Sequence, residues 1–238
     1  MQNKLIFWWS TWDFYRVTNA VNTDDLISEY FAIPETNALE IMFHGKDNIE
    51  HKMSHEILKH NFSHYSIHAP AYNYQNDDKS HTILKEFQNL CKIFPIANIV
   101  VHPDTVVDRS IFRLYDDLPI SIENMDERKK MWQTVEDIWK ILEQNPNFWL
   151  TLDLQHCFVN DPSMKLADDF HKTFWNKIVQ YHIAWYDPEY LHYPLFKTKQ
   201  NNIIQALQKK DIPIIIESTF DEKSDLKKEI EYILEFIL

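Results

Sequence analysis

The sequence predicts a (β/α)8 TIM barrel. Short β-rich runs alternate with runs of helical period from one end of the 238-residue chain to the other, and eight such units match the size of a barrel. A doubly wound open sheet shows the same alternation. The barrel is favoured because six consecutive strands end in His, Asp or Glu, and only a closed barrel brings six strand ends to one point.

Eight strands are predicted from short runs rich in β-branched, aromatic and aliphatic residues. They lie near residues 4–10, 38–44, 64–68, 98–102, 119–123, 149–153, 179–184 and 213–217. Each run is followed by a helix or a helical turn. No proline- or serine-rich stretch separates two zones of different composition, so we expect a single domain over residues 1–238.

Two of the helices have clear apolar faces. The stretch 129–143 places Trp132, Val135, Trp139 and Leu142 at three- or four-residue spacing, which predicts an amphipathic helix. The last helix is predicted over about 222–237, with Asp221 as its N-cap. Its inner face is expected to carry Leu226, Ile230, Ile233, Leu234 and Ile237.

Composition excludes some classes of function and disfavours others. The 36 acidic residues exceed the 24 basic ones, and the net charge of -12 should repel nucleic acid and anionic membranes. Gly45 is the only glycine, which rules out a glycine-rich loop that cradles phosphate. Two cysteines make no disulfide framework, and no apolar run has the length of a membrane span or a signal peptide. A cytoplasmic location is expected.

The strand ends carry the chemistry. The residue before each polar end is bulky and should face the outer helices; these residues are Ile67, Val101, Ile122, Leu152, Tyr181 and Ile216. The opposite, inward face carries His68, His102, Glu123, Asp153, His182 and Glu217. Burying three carboxylates beside three histidines is costly unless a cation pairs with them. Mixed imidazole and carboxylate ligands suit Zn, Mn or Fe, so a divalent metal site is predicted.

Two further histidines are candidate ligands. His156 follows Asp153 by three residues in "LTLDLQH" and could reach the same rim, and His192 lies in the loop after the seventh strand. His44 ends the second strand and is a weaker candidate. Trp12 could stack on a substrate. The remaining histidines have no place in the pattern and are expected to be structural; they are His51, His55, His60, His64, His81 and His171.

The residues resemble a known family. The segments "HAP" (68–70), "VVHP" (100–103), "IEN" (122–124), "DLQHCF" (153–158) and "IIIES" (214–218), with His182, are similar to those of the xylose-isomerase-like TIM barrels, and most to the endonuclease IV family. The resemblance implies a cluster of two or three metal ions. Its first site would use His68, His102 and Glu123. The second would use Glu123, Asp153, His182 and Glu217, and the third His156 and His192.

Three departures from that family bear on the substrate. Tyr190 stands where the family has an aspartate, so the third site is short of a ligand unless Asp187 substitutes. The tyrosine that follows "HAP" in the family is one place late here, at Tyr72. The glycines and basic residues of the DNA-gripping loops are largely missing from this acidic chain. These differences disfavour duplex DNA as a partner.

Two enzyme classes therefore remain. A metal-dependent hydrolase would act on a small phosphate ester or a nucleotide, with Glu123 bridging two ions and Glu217 orienting the nucleophile. A sugar or sugar phosphate isomerase or epimerase would use one ion, with Glu123 and Glu217 as the acid and base pair. The hydrolase is favoured because His68 and His102 have no obvious role in a mononuclear isomerase. A catalytically inactive metal-binding barrel is a third alternative.

Overall fold

The computed structural model describes residues 7–9, 36–43, 62–186, 192–222 and 224–237. Its strands are β1 (Phe7–Trp9), β2 (Ala38–Met42), β3 (His64–His68), β4 (Ile96–Val101), β5 (Ile120–Glu123), β6 (Trp149–Asp153), β7 (Ile178–Ile183) and β8 (Ile214–Ile216). Its helices are α1 (Asp78–Ile93), α2 (Val135–Gln144), α3 (Leu154–Asn160), α4 (Lys165–Phe174), α5 (Leu195–Thr198), α6 (Asn201–Gln205) and α7 (Asp225–Ile237). Two 3-10 helices, Pro103–Thr105 and Arg109–Tyr115, follow β4.

The eight strands form one parallel sheet in the order β1-β8-β7-β6-β5-β4-β3-β2. The two end strands, β1 and β2, also lie beside each other, which brings the sheet round into a barrel. The predicted TIM barrel is confirmed. All eight predicted strands are present, each within a few residues of its expected place, and their carboxyl ends share one rim because the sheet is parallel throughout.

The bulky residues before the strand ends are buried in the outer core, as the alternation predicts. The interior below the rim is polar. Glu40, Ser66, Asn98, Ser121, Thr151 and Gln180 are all buried there. Asn98 Nδ2 donates to both Thr151 Oγ1 and Gln180 Oε1, at 3.1 Å each. These hydrogen bonds make a rigid floor beneath the strand ends, since buried polar groups are stable only when paired.

Two helix predictions need correction. Helix α2 begins at Val135, six residues later than predicted, and Trp132 lies before it with a φ of 75°. Trp139 is 49% exposed, so the two tryptophans do not extend the buried face. The reason is Thr134, whose side chain accepts a hydrogen bond from the Asp137 amide and caps the helix there.

The last helix, α7, begins at Asp225 rather than near residue 222. Leu226, Ile230, Ile233 and Ile237 are buried on its inner face as predicted, and Leu234 is half-buried. Within the described ranges, no helix combines the length and apolar character that a membrane span requires.

Candidate metal centre

Six strand-end side chains converge at the carboxyl rim, with Glu123 at the middle. Its Oε2 lies 3.1 Å from His102 Nε2 and 3.5 Å from His68 Nε2. Its Oε1 lies 3.3 Å from His182 Nδ1. The Glu123 side chain is only 1% exposed, so its charge is held inside the protein by these imidazoles. The two oxygens of this one carboxylate therefore face two different sets of possible metal ligands.

The second set of donors comes from β6, β7 and β8. His182 Nδ1 lies 3.0 Å from Glu217 Oε1 as well as near Glu123. Asp153 pairs in register with His182 on the neighbouring strand, which places the two side chains at the same height. Donor atoms of Glu123, Asp153, His182 and Glu217 all lie within 4.8 Å of one another. His68, His102 and Glu123 make another such group, and His68, His182 and Glu217 a third.

These residues fit a divalent cation. Glu123 Oε2, Asp153 Oδ2, His182 Nδ1 and Glu217 Oε1 are buried and make no hydrogen bond of acceptable geometry. Buried polar atoms left in this way are destabilising, and bound cations beside Glu123 would satisfy them. The donors are imidazole nitrogen and carboxylate oxygen, which suits Zn, Mn or Fe. The identity and number of ions remain predictions.

The electrostatics of the metal-free centre show what holds the cluster together. Burial by itself would lower the pKa of His68, but the neighbouring carboxylates, Glu123 first, outweigh burial and raise it. The pKa of His182 is raised well above its usual value for the same reason, with Glu217 as the strongest carboxylate influence. Burial raises the pKa of Asp153 to about 8. Without a metal ion, bound protons thus offset part of the negative charge of the carboxylates.

Glu123 and Glu217 behave in the opposite way. Burial would raise the pKa of each carboxyl, but the neighbouring histidines, His182 first, together outweigh burial through their charge and hydrogen bonds. The pKa of Glu123 falls well below its usual range, and that of Glu217 falls to about 2. Both carboxylates are therefore ionised at neutral pH.

The spacing in "DLQH" has a local structural cause. Asp153 is the N-cap of α3, and its Oδ1 accepts a hydrogen bond from the His156 amide at 2.8 Å. Asn124, next to Glu123, fixes the same point of β6: its Oδ1 accepts from the Asp153 amide at 2.8 Å, and its Nδ2 donates to the Asp153 carbonyl at 3.0 Å. The end of β5 thus positions the ligand at the end of β6.

His156 and His192 lie at the rim but outside the three donor groups. His156 Nδ1 is 2.7 Å from the Asn124 carbonyl oxygen, to which it can donate a hydrogen bond. This contact leaves Nε2 facing Asp126, at 3.8 Å from Oδ2. His192 Nδ1 is 4.0 Å from Glu217 Oε2, and burial lowers the pKa of His192 to about 4. Their role as ligands of a third ion stays a prediction.

Several other residues of the sequence prediction lie outside the described ranges. They are Trp12, His44, His51, His55, His60, Asp187 and Tyr190. Of the histidines expected to be structural, His81 contacts the Tyr115 hydroxyl and Asn76, and His171 contacts the Ala167 carbonyl and the Tyr181 hydroxyl. His64 begins β3, at the opposite end of the barrel from the rim.

Two carboxylates near the centre were not predicted from the sequence. Glu40 on β2 is fully buried, accepts hydrogen bonds from Ser66 Oγ and Gln180 Nε2, and lies 3.4 Å from His182 Nε2. Asp126 is buried in the loop after β5 beside His156. A lone Glu in the otherwise apolar strand "ALEIM" was the available signal for Glu40.

A cavity of about 270 Å³ opens onto the centre. Its polar wall includes His68, His102, Glu123, Glu217, Arg128 and Lys129, and its apolar wall includes Met42, Phe43 and Met125. His102 is the most exposed residue of the three groups, with 27% of its side chain accessible. The centre is thus reachable by a small molecule from the carboxyl side of the barrel.

Comparison with solved structures gives matches over nearly the whole chain. AP endonuclease family 2 from Brucella melitensis matches with a TM-score of 0.66 at 12% identity, covering 96% of this chain and 99% of that one. The probable 3-DHS dehydratase AsbF from Bacillus anthracis matches with a TM-score of 0.68 at 16% identity, over 97% and 99%. The 3-keto-D-glucoside 4-epimerase YcjR from E. coli gives 0.62 at 13%, over 98% and 100%.

The fold shared with these structures is the TIM barrel, and a further match is a xylose isomerase-like TIM barrel protein from Mycobacterium smegmatis. At these identities the likeness defines the fold alone. No family model and no curated relative matches the sequence. The three matched proteins carry out different reactions by their names, so the chemistry has to be argued from the residues of this chain.

Proposed function

We propose that this protein is a divalent-metal-dependent hydrolase of phosphate esters with a two-metal centre. The observation that carries the proposal is the position of Glu123. Its Oε2 belongs with His68 and His102, and its Oε1 approaches His182 beside Asp153 and Glu217. A carboxylate between two donor sets is the arrangement that bridges a pair of ions in two-metal hydrolases.

Bound divalent ions would supply Lewis acidity to the phosphate ester and to the attacking water. The chain's own groups would do the rest. Glu217 lines the cavity beside His182, so its carboxylate can orient the attacking water. His192 is neutral at pH 7 because its pKa is about 4, and it can share a hydrogen bond with the substrate without adding charge.

The proposed substrate is a small phosphate ester or a nucleotide. A cavity of about 270 Å³ admits a small molecule. The net charge of -12 opposes the phosphate backbone of duplex DNA, whose binding depends on neutralising several phosphates at once. Affinity for duplex DNA at physiological salt is therefore expected to be weak.

A second candidate is a sugar or sugar phosphate isomerase or epimerase. The observation that favours it is the group Glu123, Asp153, His182 and Glu217, which is complete without His68 and His102. Glu123 and Glu217 are both ionised at neutral pH and could exchange protons with a substrate carbon. In this alternative a single ion would suffice.

Two activity assays and a His102 variant distinguish the two candidate functions. Protein loaded in turn with Zn, Mn and Fe(II) is tested for hydrolysis of phosphate mono- and diesters, and for exchange of carbon-bound hydrogen in ketoses by NMR in D2O. The proposal predicts ester hydrolysis, and a loss of more than ~100-fold in His102→Ala, since losing a ligand costs more than losing an outer-shell partner. His81→Ala is the matched control. Hydrogen exchange with no ester hydrolysis would support the isomerase instead.

A further inference from the structure

Arg128 pairs with a carboxylate that lies beside His156, one of the two histidines expected to hold the third ion. Its guanidinium pairs with the buried carboxylate of Asp126 through Nε, at 2.5 Å from Oδ2, and through Nη2. The backbone amide of Arg128 donates to Asp126 Oδ1 at 3.0 Å. The Asp126 side chain is 2% exposed and faces His156 Nε2, so the guanidinium is fixed next to a predicted ligand of that ion.

The neighbouring charges agree with this position. The pKa of Arg128 is raised above its usual value: burial would lower it, but Asp126 outweighs burial and Asp153 adds to the effect. The guanidinium also shares the lining of one cavity with His156 and His192, the two predicted ligands of the third ion.

A second cation stands beside it. Lys129 Nζ lies 2.5 Å from Asp104 Oδ2 in the loop after β4, and Lys129 and Arg128 both line the cavity. Their side chains are 39% and 41% exposed, so each is held by a carboxylate and still reaches solvent. Among the lining residues of this cavity, these two carry the permanent positive charges.

We propose that Arg128 replaces the third metal ion and, with Lys129, forms a subsite for a phosphate group of the substrate. A guanidinium binds phosphate oxygens through paired hydrogen bonds, and a lysine adds a point charge. His192 Nδ1, buried without a hydrogen bond, is available to the same ligand. The inference rests on the proposed function in placing the substrate in this cavity, but the phosphate subsite itself does not depend on hydrolysis.

The test is titration calorimetry of inorganic phosphate into metal-free and metal-loaded protein. Arg128→Gln should weaken phosphate binding by about 10- to 100-fold in both forms, because it removes a charge-assisted hydrogen-bonding partner. Arg113→Gln, an exposed arginine elsewhere on the chain, is the matched control and should have no effect. Lys129→Gln leaves the Asp126 pair intact and should cause a smaller loss, which guards against misfolding of the first variant.

Metal content gives an independent measurement. Arg128→Gln should keep the same tightly bound ions as the native protein. Equal phosphate affinity in native and Arg128→Gln protein, or an equal loss in Arg113→Gln, would overturn the phosphate subsite. A third chelator-resistant ion in the native protein would overturn the claim that Arg128 replaces a metal ion. Arg128-dependent phosphate binding in a protein that hydrolyses no ester would instead reject the proposed hydrolase and leave the subsite in place.

Discussion

Glu40 and His182 meet inside the barrel, with Glu40 Oε2 3.4 Å from His182 Nε2. The other ring nitrogen of His182, Nδ1, faces Glu123 and Glu217. A carboxylate behind a ligating histidine fixes the ring and its tautomer and makes the ring nitrogen that faces the metal a better ligand. Glu40 therefore supports the centre without belonging to its donor groups.

Replacing Glu40 should weaken metal binding. Glu40→Gln keeps the size of the side chain but removes the charge that faces His182, so the affinity for the ion held by His182 should fall by ~10- to 100-fold. Competition with a chromophoric chelator measures this. Glu136→Gln, an exposed change in α2, is the control. Equal metal affinity in the Glu40 variant would show that His182 needs no carboxylate behind it.

Metal binding should release protons at neutral pH. The pKa of His182 is raised well above its usual value by the neighbouring carboxylates and that of Asp153 is raised to about 8 by burial, so both groups carry protons at pH 7 in the metal-free protein. The pKa of His68 is raised in the same direction by Glu123. Ligands must lose those protons to bind a cation. More than one proton per chain should appear in calorimetric titrations run in two buffers of different ionisation enthalpy. Apparent metal affinity should rise with pH; no proton release at pH 7 would contradict the ligand assignment.

Asn124→Ala should destabilise the protein by roughly 2–5 kcal/mol, because it leaves the buried amide and carbonyl of Asp153 without their partner. Urea denaturation of metal-free protein measures the change in the free energy of unfolding. Asn89→Ala, on the exposed side of α1, should change it by less than about 0.5 kcal/mol. If the two variants are equally stable, Asn124 does not hold the end of β6.

Most of the barrel and the convergence of the six strand-end side chains could be predicted because both follow from period-two alternation in strands. As neighbours in β5, Ile122 and Glu123 must point to opposite faces of the sheet, whatever the strand packs against. Glu40 was not predicted because it lies in the middle of β2, whereas the pattern of polar residues concerns the strand ends. Its partner Gln180 stands two residues before His182, on the same face, so the polar interior floor has a sequence signal of its own.

The loop residues could not be predicted in this way. Asp126 and Arg128 lie beyond the end of β5, where no period relates a residue to a face of the barrel. Their contact depends on the path of the chain between β5 and α2. The late start of α2 has the same origin, because the Thr134 cap outweighs the apolar spacing of Trp132.

The central claim is that Glu123 joins two metal sites, and counting bound ions tests it most directly. Protein purified without chelator and analysed by plasma mass spectrometry should hold two tightly bound ions per chain. Glu123→Gln should lose both, because the charge facing both donor sets is gone, while Glu127→Gln, an exposed change in the loop that follows β5, should keep them. A single ion in the native protein, or two ions retained in Glu123→Gln, would contradict the account.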